Sequence, residues 1–429
     1  MKYVCYVALA LLLVFDCNAQ TKPSKVFNLD ECIRIAAGSN YDIKKAASTI
    51  ETTKAEVKNA YGNYYLPSAD LSASAQKQLK SSGVNSYSVN AGLSYDLFKG
   101  FGQEADYKGA KSKQQYYEMA KKYTEKQVTL DVINSYTGIV KEMQILKVRE
   151  ENFRTGQKEL EKINAQYQAG TSPVTDVYAQ EAELGSRELE VVTAGNNLNV
   201  SKANLLNIMG QEPDIDAQFD EASLPVDVTD EDIAKFKSAI GGLESAIKTS
   251  LDNRVDYLAY NASLQSLESG VDAAKSSYYP TVTASGGWSW SNNELSGFGD
   301  KSSPYIGLNL RVPIFENYST DYQVEAAKQQ VIQKQIDKAQ LEQSIRVDIK
   351  TRFLSLTAAE KQLEITSRAL RSAEKNYEAA KESYNAGTYN ITDLLNANYQ
   401  LINARINRIN AVYNYYSVQK GLLFSMGLL

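Results

Sequence analysis

Tyr167-Gln168-Ala169-Gly170-Thr171-Ser172-Pro173-Val174-Thr175-Asp176-Val177 is matched later in the chain by Tyr384-Asn385-Ala386-Gly387-Thr388-Tyr389-Asn390-Ile391-Thr392-Asp393-Leu394. The offset is 217 residues (387 − 170). The same offset relates Phe98 to Phe315 and Met209-Gly210 to Met426-Gly427, so no net insertion separates these landmarks. Nearer the start, Asp42 pairs with Asp256 and Pro67 with Pro280 at slightly smaller offsets. A period this long excludes short-repeat solenoids and leaves two copies of a domain-sized unit. In both stretches the glycine suits a helix C-cap, because a left-handed backbone costs it nothing. The Thr-Asp pair that follows could cap or open the next helix.

Upstream of each glycine lies a long helical stretch. From Gly102 to Ala169 there is no proline, and the interior glycines are Gly109, Gly138 and Gly156. A helix of that extent would be about 100 Å long. It carries a heptad line of Val132, Ile139, Leu146, Phe153, Leu160 and Tyr167, and the second copy repeats it as Ile349, Leu356, Leu363, Leu370, Tyr377 and Tyr384. A seven-residue period sustained over this length predicts left-handed coiled-coil packing. Shorter helices are expected at Leu29–Tyr64 and Leu243–Ser277, with Asn28 and Glu31 forming a capping box on the first. Stacked end to end, the short helix before the strands and the returning helix after the turn would match the long one, which suggests a tall cylinder of packed helices.

Between short and long helix each copy carries two segments of period-two alternation, at Ala69–Gln76 and Tyr87–Leu97, then at Val282–Trp290 and Ile306–Val312. One face is apolar and the other is Ser, Thr, Asn and Gly, as a half-buried strand requires. Each segment can supply the 9–11 or so residues of a tilted membrane strand, and such polar faces suit a water-filled barrel interior. Trp288 and Trp290 share an apolar face near a strand end, where an aromatic girdle would lie. An ordinary sheet packed on one face fits the same alternation. Four strands fall short of the smallest closed barrel, so a barrel would have to be shared between subunits.

Composition removes several kinds of chemistry. The chain has no histidine, which excludes Ser-His-Asp catalysis and imidazole metal sites. A net charge of -5 and the lack of a basic stripe argue against nucleic acid. No catalytic carboxylate pair, metal cluster or phosphate loop is found, so neither an enzyme nor a cofactor is expected. The first residues read as a secretory signal: Lys2, the apolar stretch Tyr3–Phe15, and a small-residue cleavage site at Cys17-Asn18-Ala19. A lipoprotein signal acylated at Cys17 is the alternative, which Phe15 and Asp16 fit poorly. After cleavage only Cys32 remains, as a small apolar side chain on a helix. No later segment offers the roughly 18 consecutive apolar residues of a spanning helix. Gln211–Asp232, with Pro213 and Pro225 and neither Lys nor Arg, reads as an acidic surface connector. The chain therefore divides into a signal peptide (1–19), a first repeat (20–210), an acidic connector or equatorial region (211–242) and a second repeat (243–429).

Taken together, the Leu66-Pro67 and Tyr279-Pro280 entries to the strand pairs, the Asp96-Leu97-Phe98 and Pro313-Ile314-Phe315 exits and the duplicated turn resemble the TolC-like outer membrane efflux protein (outer membrane factor) family. The likeness covers nearly the whole mature chain. It implies a mainly α fold with membrane β, a TolC-like α/β-barrel. Two tandem repeats would supply long antiparallel coiled-coil helices and four strands per chain to a shared trimeric twelve-stranded barrel. It further implies an integral protein of the cell outer membrane with a periplasmic tunnel, passively conducting substrates in a tripartite efflux or type I secretion system. The partners would be two further copies, outer-membrane lipid, a periplasmic adaptor (membrane fusion protein) and an inner-membrane transporter. A trimeric coiled-coil adhesin or envelope scaffold would use the same heptads, but has little need for duplicated strand pairs with polar faces.

By the same resemblance, Gly170, Thr171, Gly387 and Thr388 would lie at the tunnel tip and meet the adaptor. Asp176 and Tyr384 correspond to a gate hydrogen-bonding pair, and Asp393 to the first member of an aspartate ring whose second position holds Asn396 here. The arginine that tightens the gate in the best-known member is Tyr389 in this chain.

Overall fold

In the computed structural model the described residues are 25–77, 79, 84–213 and 217–429. The signal-peptide reading, Cys17 included, lies outside them. The elements run β1 (Lys25–Phe27), α1 (Leu29–Ser39), α2 (Tyr41–Tyr65), β2 (Ser68–Gln76), β3 (Ser86–Lys99), α3 (Gly102–Gln168) and α4 (Val174–Ile208). They continue as β4 (Ala217–Phe219), α5 (Asp230–Ile240), α6 (Leu243–Asn253), α7 (Val255–Lys275), β5 (Thr281–Asn292), β6 (Ser302–Arg311), α8 (Ser319–Asn385) and α9 (Ile391–Ser425). The paired long helices α3 and α8 have 67 residues each, about 100 Å.

Helix packing follows the duplication. Towards the strands α2, α3, α7 and α8 pack side by side; towards the duplicated turns the neighbours are α4, α3, α9 and α8. Along the heptad line Val132, Ile139, Ile349, Leu356 and Leu363 are buried, while Tyr167 at its end is 47% exposed. Each long helix is entered through consecutive left-handed residues, Gly100-Phe101 in one copy and Asn317-Tyr318 in the other, again 217 apart.

The sequence reading of one unbroken helix over Leu29–Tyr64, and of another over Leu243–Ser277, is corrected here. The first breaks at Asn40, whose side chain accepts the Asp42 and Ile43 N–H groups (2.8 and 3.2 Å) and so restarts the helix. The second breaks at Arg254, whose guanidinium grips Asp256 (2.8 Å) and reaches Asp348 (3.4 Å). At each break a returning helix arrives from below. Asn40 Nδ2 donates to the Ile208 carbonyl at 2.8 Å, joining α4 to α2. Ser250 Oγ donates to the Ser425 carbonyl at 2.7 Å, tying the end of α9 to α6 just before α7 begins. The short helices do stack on the returning ones, but α1 and α6 turn aside and lie on α3 and α8.

These side elements form a belt at mid-height. β1 pairs in parallel with β4, which lies inside the stretch read as a surface connector. Phe27, Phe219 and Leu224 are buried beside Tyr136, whose hydroxyl donates to the Asp220 carbonyl at 2.6 Å. Acidic composition indicated a solvated linker; alternation of acidic residues with buried Phe219 and Leu224 docks it instead. Cys32 is fully buried in this cluster, and burial pushes its thiol up to about 12.

The four remaining strands form one antiparallel sheet in the order β2-β3-β5-β6. Its register brings Leu71 opposite Ala91, Ala91 opposite Trp288, Trp288 opposite Pro304 and Ala284 opposite Leu308, so every apolar alternation falls on one face. A bulge between Asp96 and Phe98 shifts the last residues of β3. Among the described residues no helix covers that apolar face: Leu71, Ile306, Leu308 and Leu310 are 66–92% exposed. Ser68–Ser94 and Ser74–Ser88 hydroxyl pairs (both 2.8 Å) and the Thr283–Asp96 bond (2.7 Å) occupy the other face. Trp290 departs from the girdle reading, because it is 1% exposed, stacked on Phe298, with Nε1 donating to the Gly297 carbonyl at 3.2 Å. One group of exposed aromatics lies instead at the junction of sheet and helices: Tyr61, Tyr65, Phe101, Tyr279, Phe315 and Tyr318.

Candidate functional site

The end of the helical body opposite the sheet is built from the two duplicated turns. Gly170 and Gly387 have φ of 74° and 75°. A Cβ on either would meet nothing within 4 Å, so the glycine answers a backbone demand alone. Their N–H groups donate to the Tyr167 and Tyr384 carbonyls, and the next residues reach one residue further back. Thr171 gives both its N–H and its hydroxyl to the Gln166 carbonyl (2.9 and 3.0 Å). Thr388 does the same to Ser383 (2.9 and 3.0 Å). The exposed threonines thus satisfy the carbonyls that a helix end leaves open.

The turns differ in how the next helix starts. Pro173 precedes α4 without a side-chain cap, whereas Asn390 and Asp393 form a reciprocal capping box on α9 (2.9 and 3.4 Å). Asp393 therefore has a local role while its side chain remains at the surface. Tyr389 is 49% exposed beside it. Behind the turns the two hairpins meet through Ile163, Val177, Ala380, Ile391, Leu394 and Ala397, with Tyr377 and Tyr384 packed against this cluster. Lys162 Nζ donates across to Asn385 Oδ1 at 2.7 Å.

Asp176 and Tyr384 come together on opposite sides of this contact. Burial raises the Tyr384 hydroxyl above the usual tyrosine range, the Asp176 charge adds to it, and hydrogen bonding with Ser172 opposes it. Ser172 Oγ also donates to Asp176 Oδ2 at 3.2 Å. Ser172, where the two turns differ in sequence, thus stands between the two expected gate residues. A group missed in the sequence lies deeper, around the buried side chains of Asn152, Gln180, Arg187 and Asn398. Its signal was available: at the 217-residue offset Gln180 and Arg187 correspond to Ala397 and Ala404, so the copies differ in polarity at these positions.

Among the described residues no group of His, Cys, Asp or Glu is placed to hold a metal ion. No helix there is long and apolar enough to cross a membrane. What the molecule offers is a bare apolar sheet at one end and two apposed polar turns at the other.

That arrangement has counterparts. The chain is 26% identical over 298 residues to the outer membrane protein TolC of Vibrio cholerae, an alignment that spans 68% of this chain and 66% of that one. It is 21% identical over 440 residues to TolC of Salmonella enteritidis, covering 98% of this chain and 86% of that one. The crystal structure of CusC superposes with a TM-score of 0.77 at 17% identity, over 93% of this chain and 92% of that one, which shows a shared fold. The outer membrane efflux protein family model matches residues 32–211 and 246–428, the two copies in turn. With both halves matched, the chain belongs to the outer membrane efflux protein family.

Proposed function

We propose that the chain is one subunit of a homotrimeric outer-membrane conduit, passively conducting substrates for a tripartite efflux or type I secretion system. The observation that carries this reading is the uncovered apolar sheet face, with Ile306 at 92% and Leu308 at 73% exposure. A contiguous apolar surface of this kind needs lipid or protein to cover it. The sheet also has two free edges, β2 and β6, which invite strand pairing with further copies. Three copies would close twelve strands, with the Ser, Asn and Thr face lining water and the apolar face in the outer membrane. A coiled-coil scaffold would have no use for that face.

The helical hairpins then extend into the periplasm, and their turns, with Gly170, Thr171, Gly387 and Thr388 exposed, are where an adaptor bound to an inner-membrane transporter would dock. Asp176, Tyr384 and the Ser172 between them form the gate, and Tyr389 packs at the rim. Three Asp393 carboxylates around one axis attract cations.

The test is reconstitution. Detergent-extracted protein should run as a heat-modifiable trimer and give discrete conductance steps in planar bilayers. A monomer without conductance would sink the reading. Asp176→Ala should raise the conductance of the resting channel; an unchanged value removes Asp176 from the gate.

A further inference from the structure

Arg187, on α4 about 20 Å behind the turn, is 1% exposed and is the only charged residue among the buried polar side chains described. Its Nε donates to Glu183 Oε1 at 3.0 Å, and its Nη1 to Glu159 Oε2 and the Asn152 carbonyl, both at 3.2 Å. Gly156 on α3 makes the room, since a Cβ there would lie 2.7 Å from Nη1. Gln180, fully buried, sets its Nε2 3.4 Å from both the Gly156 carbonyl and Glu159 Oε2.

The two residues of α3 that Arg187 holds are the ones the second hairpin grips. Tyr377 on α8 donates its hydroxyl to Glu159 Oε1 at 3.3 Å. Asn398 on α9, 5% exposed, donates its Nδ2 to Asn152 Oδ1 at 3.0 Å. Packing alone does not call for this. At the positions equivalent to Gly156, Gln180 and Arg187 the second hairpin has Ala373, Ala397 and Ala404, and it closes on itself without a buried charge. Nor is the cluster a stability optimum, because Arg187 Nη2 and Gln180 Oε1 are buried without partners. Well-packed apolar residues commonly serve at least as well as such an ion pair.

We propose that Arg187 is a gate-positioning residue. It aims the Glu159 carboxylate at Tyr377 and anchors the α3 backbone at Asn152, whose side chain meets Asn398, forming a latch behind the tip that holds hairpin α3–α4 against hairpin α8–α9 and keeps the resting channel narrow. The proposal rests on the conduit reading, but the latch itself is a property of the single chain and can be read without a current.

Two variants test it in the detergent-solubilised full protein. Tyr377→Phe removes only the crossing hydroxyl. The triple variant G156A/Q180A/R187A writes the second hairpin's alanines into the first, so the hairpin stays packed while the latch is lost. Spin labels at exposed Glu161 on α3 and Glu382 on α8 report the spacing of the hairpins, with buried Cys32 inert to labelling. Both variants should broaden that distance distribution and raise the resting conductance at least twofold, while the melting temperature of the triple variant stays within a few degrees of wild type. A wild-type distribution in both variants overturns the latch. Broadened distances without any conductance, in wild type as well, would keep the latch and remove the conduit.

Discussion

Gly427 presses on Asn253 where the end of α9 meets the break between α6 and α7; a Cβ on Gly427 would lie 2.8 Å from the Asn253 carbonyl carbon. In the first copy Gly210 stands as close to Ser39, with the corresponding distance 2.5 Å to its carbonyl oxygen. Both glycines have positive φ, 64° and 75°. The Met-Gly pairs that mark the duplication are thus the joints of the stacked helices.

Gly210→Ala and Gly427→Ala should therefore cost more than Gly170→Ala and Gly387→Ala. All four carry the left-handed penalty of roughly 1–2 kcal/mol for a residue with a Cβ. The joint pair adds a backbone clash, whereas the tip pair meets open space. Thermal melting of the assembled protein should rank joint variants below tip variants; equal losses would refute the steric account.

The sheet makes a prediction about sidedness. Leu308 lies on the bare apolar face and Ser285 on the polar one. Leu308→Arg should lower membrane assembly, at about 2–4 kcal/mol for a cation near the bilayer midplane. Ser285→Arg should assemble normally and alter conductance instead. Heat-modifiable trimer yield for the two variants checks this.

At the tip, Asp393→Asn keeps an acceptor for the Asn390 N–H while removing charge. Helix α9 should stay capped, and the reversal potential in a salt gradient should move towards non-selectivity. Anion preference in the wild-type channel would count against an acidic constriction.

Alkaline pH offers a test of the buried tyrosines. Burial, with neighbouring acidic groups adding to it, pushes the hydroxyls of Tyr136, Tyr377 and Tyr415 up to about 12, from an ordinary value of 10.0. Between pH 10 and 12 the unfolded chain loses these protons while the folded one keeps them. Folding stability should thus be unaffected by them below pH 10 and fall as pH rises through that window. Tyr377→Phe should flatten the fall, measured by chemical denaturation at stepped pH.

Much of this was legible in the residues. The 217-residue offset alone determined two like halves, because equal spacing of Phe98, Gly170 and Gly210 with Phe315, Gly387 and Gly427 requires equal helices between equal turns. Alternation determined which strand residues share a face, since a pleated strand has period two whatever surrounds it. The tip turns were equally local: a left-handed residue after a helix asks for glycine, and Gly170 and Gly387 supply it.

Other features depend on partners remote in sequence, and only the tertiary structure decided them. Asn40 reads as one polar residue in a helix until Ile208 arrives 168 positions later to take its amide hydrogen. Alternation in β6 cannot say whether its apolar side meets a helix; the exposure of Leu308 says that none among the described residues does. Arg187 looks like any charge on a helix surface, and it is buried because Gly156 of α3 leaves a hole for it. Local chemistry thus determined the repeat, the strand faces and the turns. What each face touches was settled by packing, which no single stretch of sequence contains.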